Sequence, residues 1–296
     1  MANLKDISRQ IKSVKNTQKT TKAMQLVSSA KLRRTQQLAQ QAKSYAGKIN
    51  EVLTEIASNL NKMKDDNLDL GRSFKLDSDV KTVDIVFVTA DKGLCGGFNM
   101  ATIREVRNLI KDYSAKGTKI NLRAIGRKGI DYFNFQNVEL IQKEIGLSSA
   151  PTYEKASDFA NHVLKNFIDG NTDKVVLVYN GFKNMLTQEL RVKTLLPIDV
   201  QYNEVNISDS MMEIEPEGDE QDVLDELVNK YIEFNMFYSL IDSLSAEHSA
   251  RMQAMDSATK NAKQKVNDLT VQFNKARQAA ITTELIEIIS GVEALK

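Results

Sequence analysis

Between Asp219 and Ser290 the chain holds neither glycine nor proline, and its apolar and small positions keep one alternation of four and three residues. The series runs Leu227, Tyr231, Phe234, Tyr238, Ile241, Ser245, His248, Met252, Met255, Thr259, Ala262, Val266, Leu269, Phe273, Ala276, Ala280. A mean step of 3.5 residues is the period of a left-handed coiled coil. At about 1.5 Å per residue, such a stretch predicts a helix on the order of 108 Å long. A globular domain of this size does not bury a straight helix of that length. Most of it is expected to project and to need a partner helix or a surrounding protein.

The N-terminal segment predicts that partner. No glycine or proline precedes Gly47, and none follows it until Gly71. Apolar residues recur at Leu4, Ile7, Ile11 and Val14. The pattern turns polar through Thr17, Gln18 and Thr21, then resumes at Leu38, Ala42, Tyr45, Ile49, Val52, Ile56 and Leu60. Two long helices at opposite ends of the chain, each with a seam, are paired most economically as an antiparallel coiled coil. The expected division is residues 1–70 with 209–296 as the helix pair, and 75–205 as an inserted α/β domain.

The middle of the chain has a different rhythm. Val83–Thr89 and Lys174–Tyr179 are short, nearly continuous apolar runs, as in strands buried on both faces. Ile120–Ile125 and Val138–Glu144 read as further strands. Helices are predicted near Ala101–Ala115, Lys128–Phe133 and Tyr153–Ile168. Glu189–Leu196 alternates and reads as an antiparallel edge strand. Strand-helix alternation predicts a small, mostly parallel, Rossmann-like sheet with right-handed crossovers.

Charge changes this picture by its distribution. From Met1 to Lys43 there are ten basic residues against one acid, Asp6, whereas Asp209–Glu226 holds nine acids and no base. A basic helix suits an acidic surface. Nucleic acid is one candidate, but no aromatic residue precedes Tyr45 to stack on bases. No apolar run reaches the roughly 18 residues needed to span a bilayer, and no signal peptide is read at the N-terminus. Any membrane association is therefore expected to go through other chains.

Candidate chemistry is sparse. The segment Asp91-Lys-Gly-Leu-Cys-Gly-Gly-Phe-Asn99 follows a strand and precedes a helix, where open α/β sheets bind phosphate. Lys92 precedes the glycines, however, so the spacing is not that of a phosphate loop, and the dinucleotide fingerprint is absent too. Asp91, Gly93, Cys95, Gly96 and Gly97 are read as a structural turn. A nucleotide-binding reading predicts ATP binding by Lys75–Tyr202, lost on changing Lys92 or Gly96. Cys95 is the sole cysteine and has no evident partner base. His162 and His248 are the only histidines, too few with one cysteine for an ordinary zinc site. Asp65-Asp66, Glu215 and Glu217 read as solvated linker residues. No catalytic residue, metal site or cofactor is expected. Small residues on the long seam make a thin rod, as suits a shaft in a narrow passage.

Taken together, several segments resemble the gamma subunits of F-type ATP synthases. They are Ile281-Thr-Thr-Glu284-Leu-Ile-Glu287-Ile-Ile-Ser-Gly291-Val-Glu-Ala294, Glu247–Ala262, the turn Asp91–Asn99, Ile11–Met24 and Ser29–Arg33. The resemblance implies a central-stalk rotor, itself non-catalytic. Its terminal helices would turn inside the hexamer of alpha and beta subunits, and its α/β domain would sit beside the epsilon subunit on the ring of c subunits. Met24, Arg251, Arg277, Gln278, Thr282 and Glu287 would lie in or near the contacts with beta, whose acidic loops would meet the basic helix. Chloroplast relatives can carry an inserted cysteine pair for redox control; with Cys95 alone, that regulation is not expected here. A peripheral place on the cytoplasmic face of a bacterial plasma membrane follows from the same resemblance.

Overall fold

The computed structural model describes residues 4–63, 72–74, 80–198 and 220–293. Asp65, Asp66, Glu215 and Glu217 lie outside the described residues, as do the side chains of Ile56 and Leu60. The elements in chain order are α1 (Leu4–Met63), β1 (Thr82–Val88), α2 (Phe98–Ala115), β2 (Lys119–Ile125), α3 (Arg127–Phe135), β3 (Gln142–Glu144), α4 (Tyr153–Ile168), β4 (Lys174–Phe182), β5 (Gln188–Leu196) and α5 (Glu220–Glu293). Two compact units result. One joins Met1–Ala30 to Arg251–Lys296, and the other comprises Lys31–Ala250.

The sheet of the larger unit has the order β3-β2-β1-β4-β5. β1 is parallel to β2 and β4, β2 is parallel to β3, and β5 returns antiparallel to β4. The predicted strands are all present, although β3 is confined to Gln142–Glu144. β1 and β4 do not alternate because both of their faces are covered. On one face, Val83, Ile85 and Phe87 of β1 pack with Ile103 and Val106 of α2 and with Ile130 and Phe133 of α3. On the other, Val86 and Val88 pack with Phe159 and Val163 of α4, Leu53 of α1, and Ile232, Met236 and Leu240 of α5.

Asp84 interrupts the apolar run of β1 and is completely buried. An isolated charge there would be strongly unfavourable. Arg123 of β2 pairs with it at 2.8 Å, and Asn121 and Thr172 donate to its other oxygen at 2.8 and 2.7 Å. The pair sits between neighbouring strands and fixes their relation as well as their charge.

In the smaller unit the two helices run antiparallel. The Thr21 and Thr259 hydroxyls lie 2.7 Å apart, and Gln25 Nε2 donates to Asp256 Oδ1 at 2.9 Å. The predicted seam of α5 is realised from Met255 to Ala280. Met255, Ala262 and Leu269 are buried, Thr259, Val266, Phe273, Ala276 and Ala280 are half-buried, and most of the positions between them are exposed.

The seam of α1 requires a correction. It does not lapse at Gln18 and Thr21 but passes through both, then through Ser28, Leu32, Thr35, Ala39, Ala42, Ala46, Ile49 and Leu53. Leu38, Tyr45 and Val52, expected on the seam, are 45%, 53% and 41% exposed. Following the largest apolar residue places the seam one position off. The structure turns the smaller neighbours Ala39 and Ala46 inward, and small residues let helices approach closely.

Candidate functional site

The loop after β1 lies where an open α/β sheet would hold a ligand, between the diverging neighbours β2 and β4. Here that crevice is filled by the chain itself. Cys95 and Phe98 are buried against Ala246 and Ala250 of α5, with Phe182 packed beside them. Asn180 at the end of β4 donates to Phe98 O and to Thr102 Oγ1, both at 2.8 Å. Asn99 accepts from Ala90 N at 2.8 Å, and its amide donates to Cys95 Sγ at 3.3 Å. These contacts close the turn over the end of the strand.

Asp91 ties the turn to two other loops. Its carboxylate accepts from Arg127 N at 3.0 Å and from Gly146 N at 3.1 Å, the first of these at the start of α3. Leu94 and Gly96 have φ of 63° and 60°, so the chain reverses through two left-handed residues in quick succession. Gly93 and Gly97 have almost nothing near a notional Cβ, so neither is required by crowding. Gly126 is different: its φ is 100°, and a Cβ there would overlap the Thr89 carbonyl. Asp91, Gly93, Cys95, Gly96 and Gly97 thus form one turn, with Cys95 as a buried packing residue. Among the described residues no cluster of His, Cys, Asp and Glu could hold a metal ion. No described helix is long and apolar enough to cross a membrane.

The partner-contact candidates fall on the helix pair in two groups. Met24 is half-buried and Arg251 is buried. The register set by Thr21 and Thr259 places Met24 opposite Asp256, five residues or about 7.5 Å along α5 from Arg251. Arg277, Gln278, Thr282 and Glu287 are all exposed and lie about 39 Å and more further along α5. The Thr282 hydroxyl donates to Gln278 O at 2.9 Å, within its own helix. The ten basic residues of Met1–Lys43 are all exposed.

A feature that the four-three alternation does not capture adjoins the second group. Every residue from Ile281 to Val292 is exposed, including Leu285, Ile286, Ile288 and Ile289 at 54–66%. The alternation breaks at Ala280, and the seam reading stops there. The signal is still present in the sequence: six large aliphatic residues fall within twelve positions.

A family model described as ATP synthase matches residues 3–295. The ATP synthase gamma chain of Aliarcobacter butzleri (strain RM4018) is 65% identical over 296 residues, covering all of both chains. That of a Nitratiruptor species is 57% identical over 296 residues, again covering both completely. Among solved structures, a chain of the Euglena gracilis mitochondrial ATP synthase superposes with a TM-score of 0.67 at 18% identity, over 99% of this chain and 94% of that one. One from the central stalk and c-ring of the Tetrahymena thermophila enzyme gives 0.62 at 23% identity, over 81% and 99%. These distant likenesses speak for the fold, five-stranded sheet and long terminal helices together. With a family match along almost its whole length and full-length identities above one half, the chain belongs to the gamma subunits of F-type ATP synthases.

Proposed function

We propose that this chain is the central-stalk rotor of an ATP synthase, coupling ion-driven rotation of the c-ring to the conformational cycling of the beta subunits. The observation that carries the reading is the end of α5: a helical segment with Ile281, Leu285, Ile286, Ile288, Ile289 and Val292 all about half or more exposed. A single-sided surface of that size calls for a protein around it. The proposed occupant is the hexamer of alpha and beta subunits, with Arg277, Gln278, Thr282 and Glu287 among the contacts at that end and Met24 and Arg251 at a second level. The exposed basic face of α1 supplies charge that acidic loops of beta can slide past, since exposed pairs are worth only about 0–1 kcal/mol each.

Residues 1–70 and 209–296 form the turning helix pair in this reading, and 75–205 form the foot, which meets the epsilon subunit and the c-ring. In this reading the chain is itself non-catalytic, and the packing of Phe98, Cys95 and Phe182 at the end of the sheet supports a structural role for that turn. Its place is peripheral, on the cytoplasmic face of a bacterial plasma membrane, held there by its partners.

Reconstitution tests this directly. Purified alpha and beta subunits are mixed with and without the chain, and ATPase turnover and co-elution are scored. Stable incorporation with faster multi-site turnover is expected. A chain that stays separate and leaves turnover unchanged would refute the rotor reading.

A further inference from the structure

Within the larger unit, α5 is enclosed to an unusual degree. Every residue from Ser239 to Ala250 is buried, so no exposed face marks how the helix is turned about its own axis. Apolar packing is non-directional. It holds such a helix in place but resists rotation only through the shapes of its side chains. Directional contacts are needed to set the angle.

Three polar residues of α5 supply them at heptad spacing: Asn235, Asp242 and Ser249, all buried. Seven residues is close to two full turns, so the three lie along one face. Each meets the β4–β5 hairpin. Lys193 Nζ donates to Asn235 Oδ1 at 2.5 Å. Arg191 Nη1 donates to Asp242 Oδ2 at 2.6 Å, while the Phe182 N–H donates to its other oxygen at 3.3 Å. The Ser249 hydroxyl donates to Met185 O at 3.0 Å and accepts from Gln188 Nε2 at 3.4 Å. The helix number rises as the strand number falls, so the contacts form a ladder along both elements. On the far side, Asn235 Nδ2 donates to Asn50 Oδ1 of α1 at 3.2 Å.

We propose that this ladder keys α5 to the sheet, so that torque applied to the α/β unit reaches the helix without the helix slipping about its axis. Arg191, Asp242, Lys193 and Asn235 are thus positioning residues for rotary coupling, a role that rests on the rotor reading above. Close approach reinforces the key. At Gly181 a Cβ would come within 2.6 Å of both Arg191 Cζ and Asp242 Oδ2, so only glycine leaves room for the central rung. A partly buried ion pair of this kind contributes little net stability compared with an apolar pair of similar volume. Its directionality is what an apolar pair lacks.

The test uses the whole chain in a membrane-reconstituted complex with alpha, beta, epsilon and c subunits. Two rates are read: ATP hydrolysis by the complex, and ATP synthesis driven by an imposed ion gradient. Arg191→Leu, and Arg191→Leu combined with Asp242→Leu, are expected to lower the ratio of synthesis to hydrolysis several-fold, because hydrolysis can turn a slipping rotor whereas synthesis needs torque delivered. Asp242→Asn keeps the shape of the rung and serves if the bolder variants do not assemble; it is expected to lower the ratio less. A ratio unchanged in every assembled variant would overturn the proposal, even if both rates fell together, since that is the mark of a purely structural pair. Failure of the rotor reading is distinct: the unaltered chain would then not raise hydrolysis by alpha and beta at all.

Discussion

At the scale of single residues, Asp91 concentrates most of the order in the turn after β1. Burial works to raise its carboxyl pKa, but hydrogen bonds led by the N–H groups of Arg127 and Gly146 outweigh it and hold the group below its ordinary value. A carboxyl depressed in this way contributes stability that is complete above the unfolded aspartate value of about 3.9 and is lost as pH falls through the lower folded value. Asp91→Ala is therefore expected to cost about 0.5–1.5 kcal/mol at neutral pH, because two backbone donors near the surface exchange a carboxylate for water. Urea unfolding of the full chain reads this. The deficit should shrink as both proteins are taken below about pH 4. Equal midpoints at neutral pH would mean that the turn is held by its apolar contacts alone. Glu233 of α5 follows the same pattern. Burial raises it, but donors that include Ser157, Tyr153, Lys230 and Asn161 prevail and lower it. The Tyr153 hydroxyl approaches to 2.6 Å and is itself pushed up, by its burial and by that carboxylate.

At the scale of elements, the two long helices show what the sequence could and could not disclose. Heptad spacing from Met255 to Ala280 was legible because few large apolar residues compete with the seam there. In α1 it was legible at Leu4, Ile7, Ile11, Val14, Ala42 and Ile49. Around the last two it was not, because Leu38, Tyr45 and Val52 are spaced by seven and imitate a seam position that Ala39, Ala46 and Leu53 fill. Tyr45 is drawn toward Phe234, with ring centroids 4.3 Å apart, and still remains half exposed. The difference is measurable. Leu53 is 1% exposed, so Leu53→Ala should cost about 2–5 kcal/mol, whereas Val52→Ala, one residue away, should cost less than about 1 kcal/mol. Comparable losses at the two positions would return the seam to its first reading. The sheet was legible for a simpler reason, since strands buried on both faces read as unbroken apolar runs. Its buried polar groups were not: nothing in the pattern around Asp84, Arg123 or Asp242 says which opposite charge will lie beside it. The same holds for Thr21, which looks like a break in the seam of α1 and forms a hydroxyl pair with Thr259 within it. Each hydroxyl also has a carbonyl of its own helix to bond, Gln18 O at 3.1 Å and Met255 O at 2.7 Å. Replacing both by valine strands no polar group and adds apolar burial, so the double variant should melt at or above the temperature of the parent. A melting point lowered by several degrees would show that the polar layer stabilises the pair.

At the scale of the whole molecule, the end of α5 stands out among the described residues as a long exposed segment rich in aliphatic side chains. From Ile281 to Val292 each side chain is exposed, and the hydroxyls of Thr282 and Thr283 bond only to carbonyls one turn back, at 2.9 Å each. A helix end exposed on all sides contributes little to the stability of what precedes it, because isolated helical turns are marginal in water. Ending the chain after Ala280 should therefore leave its unfolding free energy within about 0.5 kcal/mol of the parent. It should also remove a long run of exposed aliphatic residues and reduce association of the isolated chain at high concentration, which sedimentation would detect. If that surface exists for the hexamer, the shortened chain will still fold but will stimulate alpha and beta turnover less, and it will be displaced from the hexamer at lower concentrations of full-length competitor. The two measurements separate the possibilities. A loss of intrinsic stability would mean that the chain itself holds the segment. Intact stability with undiminished stimulation would move the proposed working surface to the other candidate group, Met24 and Arg251, where the helix pair is already packed. Intact stability with weakened stimulation would fit the arrangement of burial along α5: enclosed where the helix meets the sheet, paired along its seam, and bare where another protein must take hold.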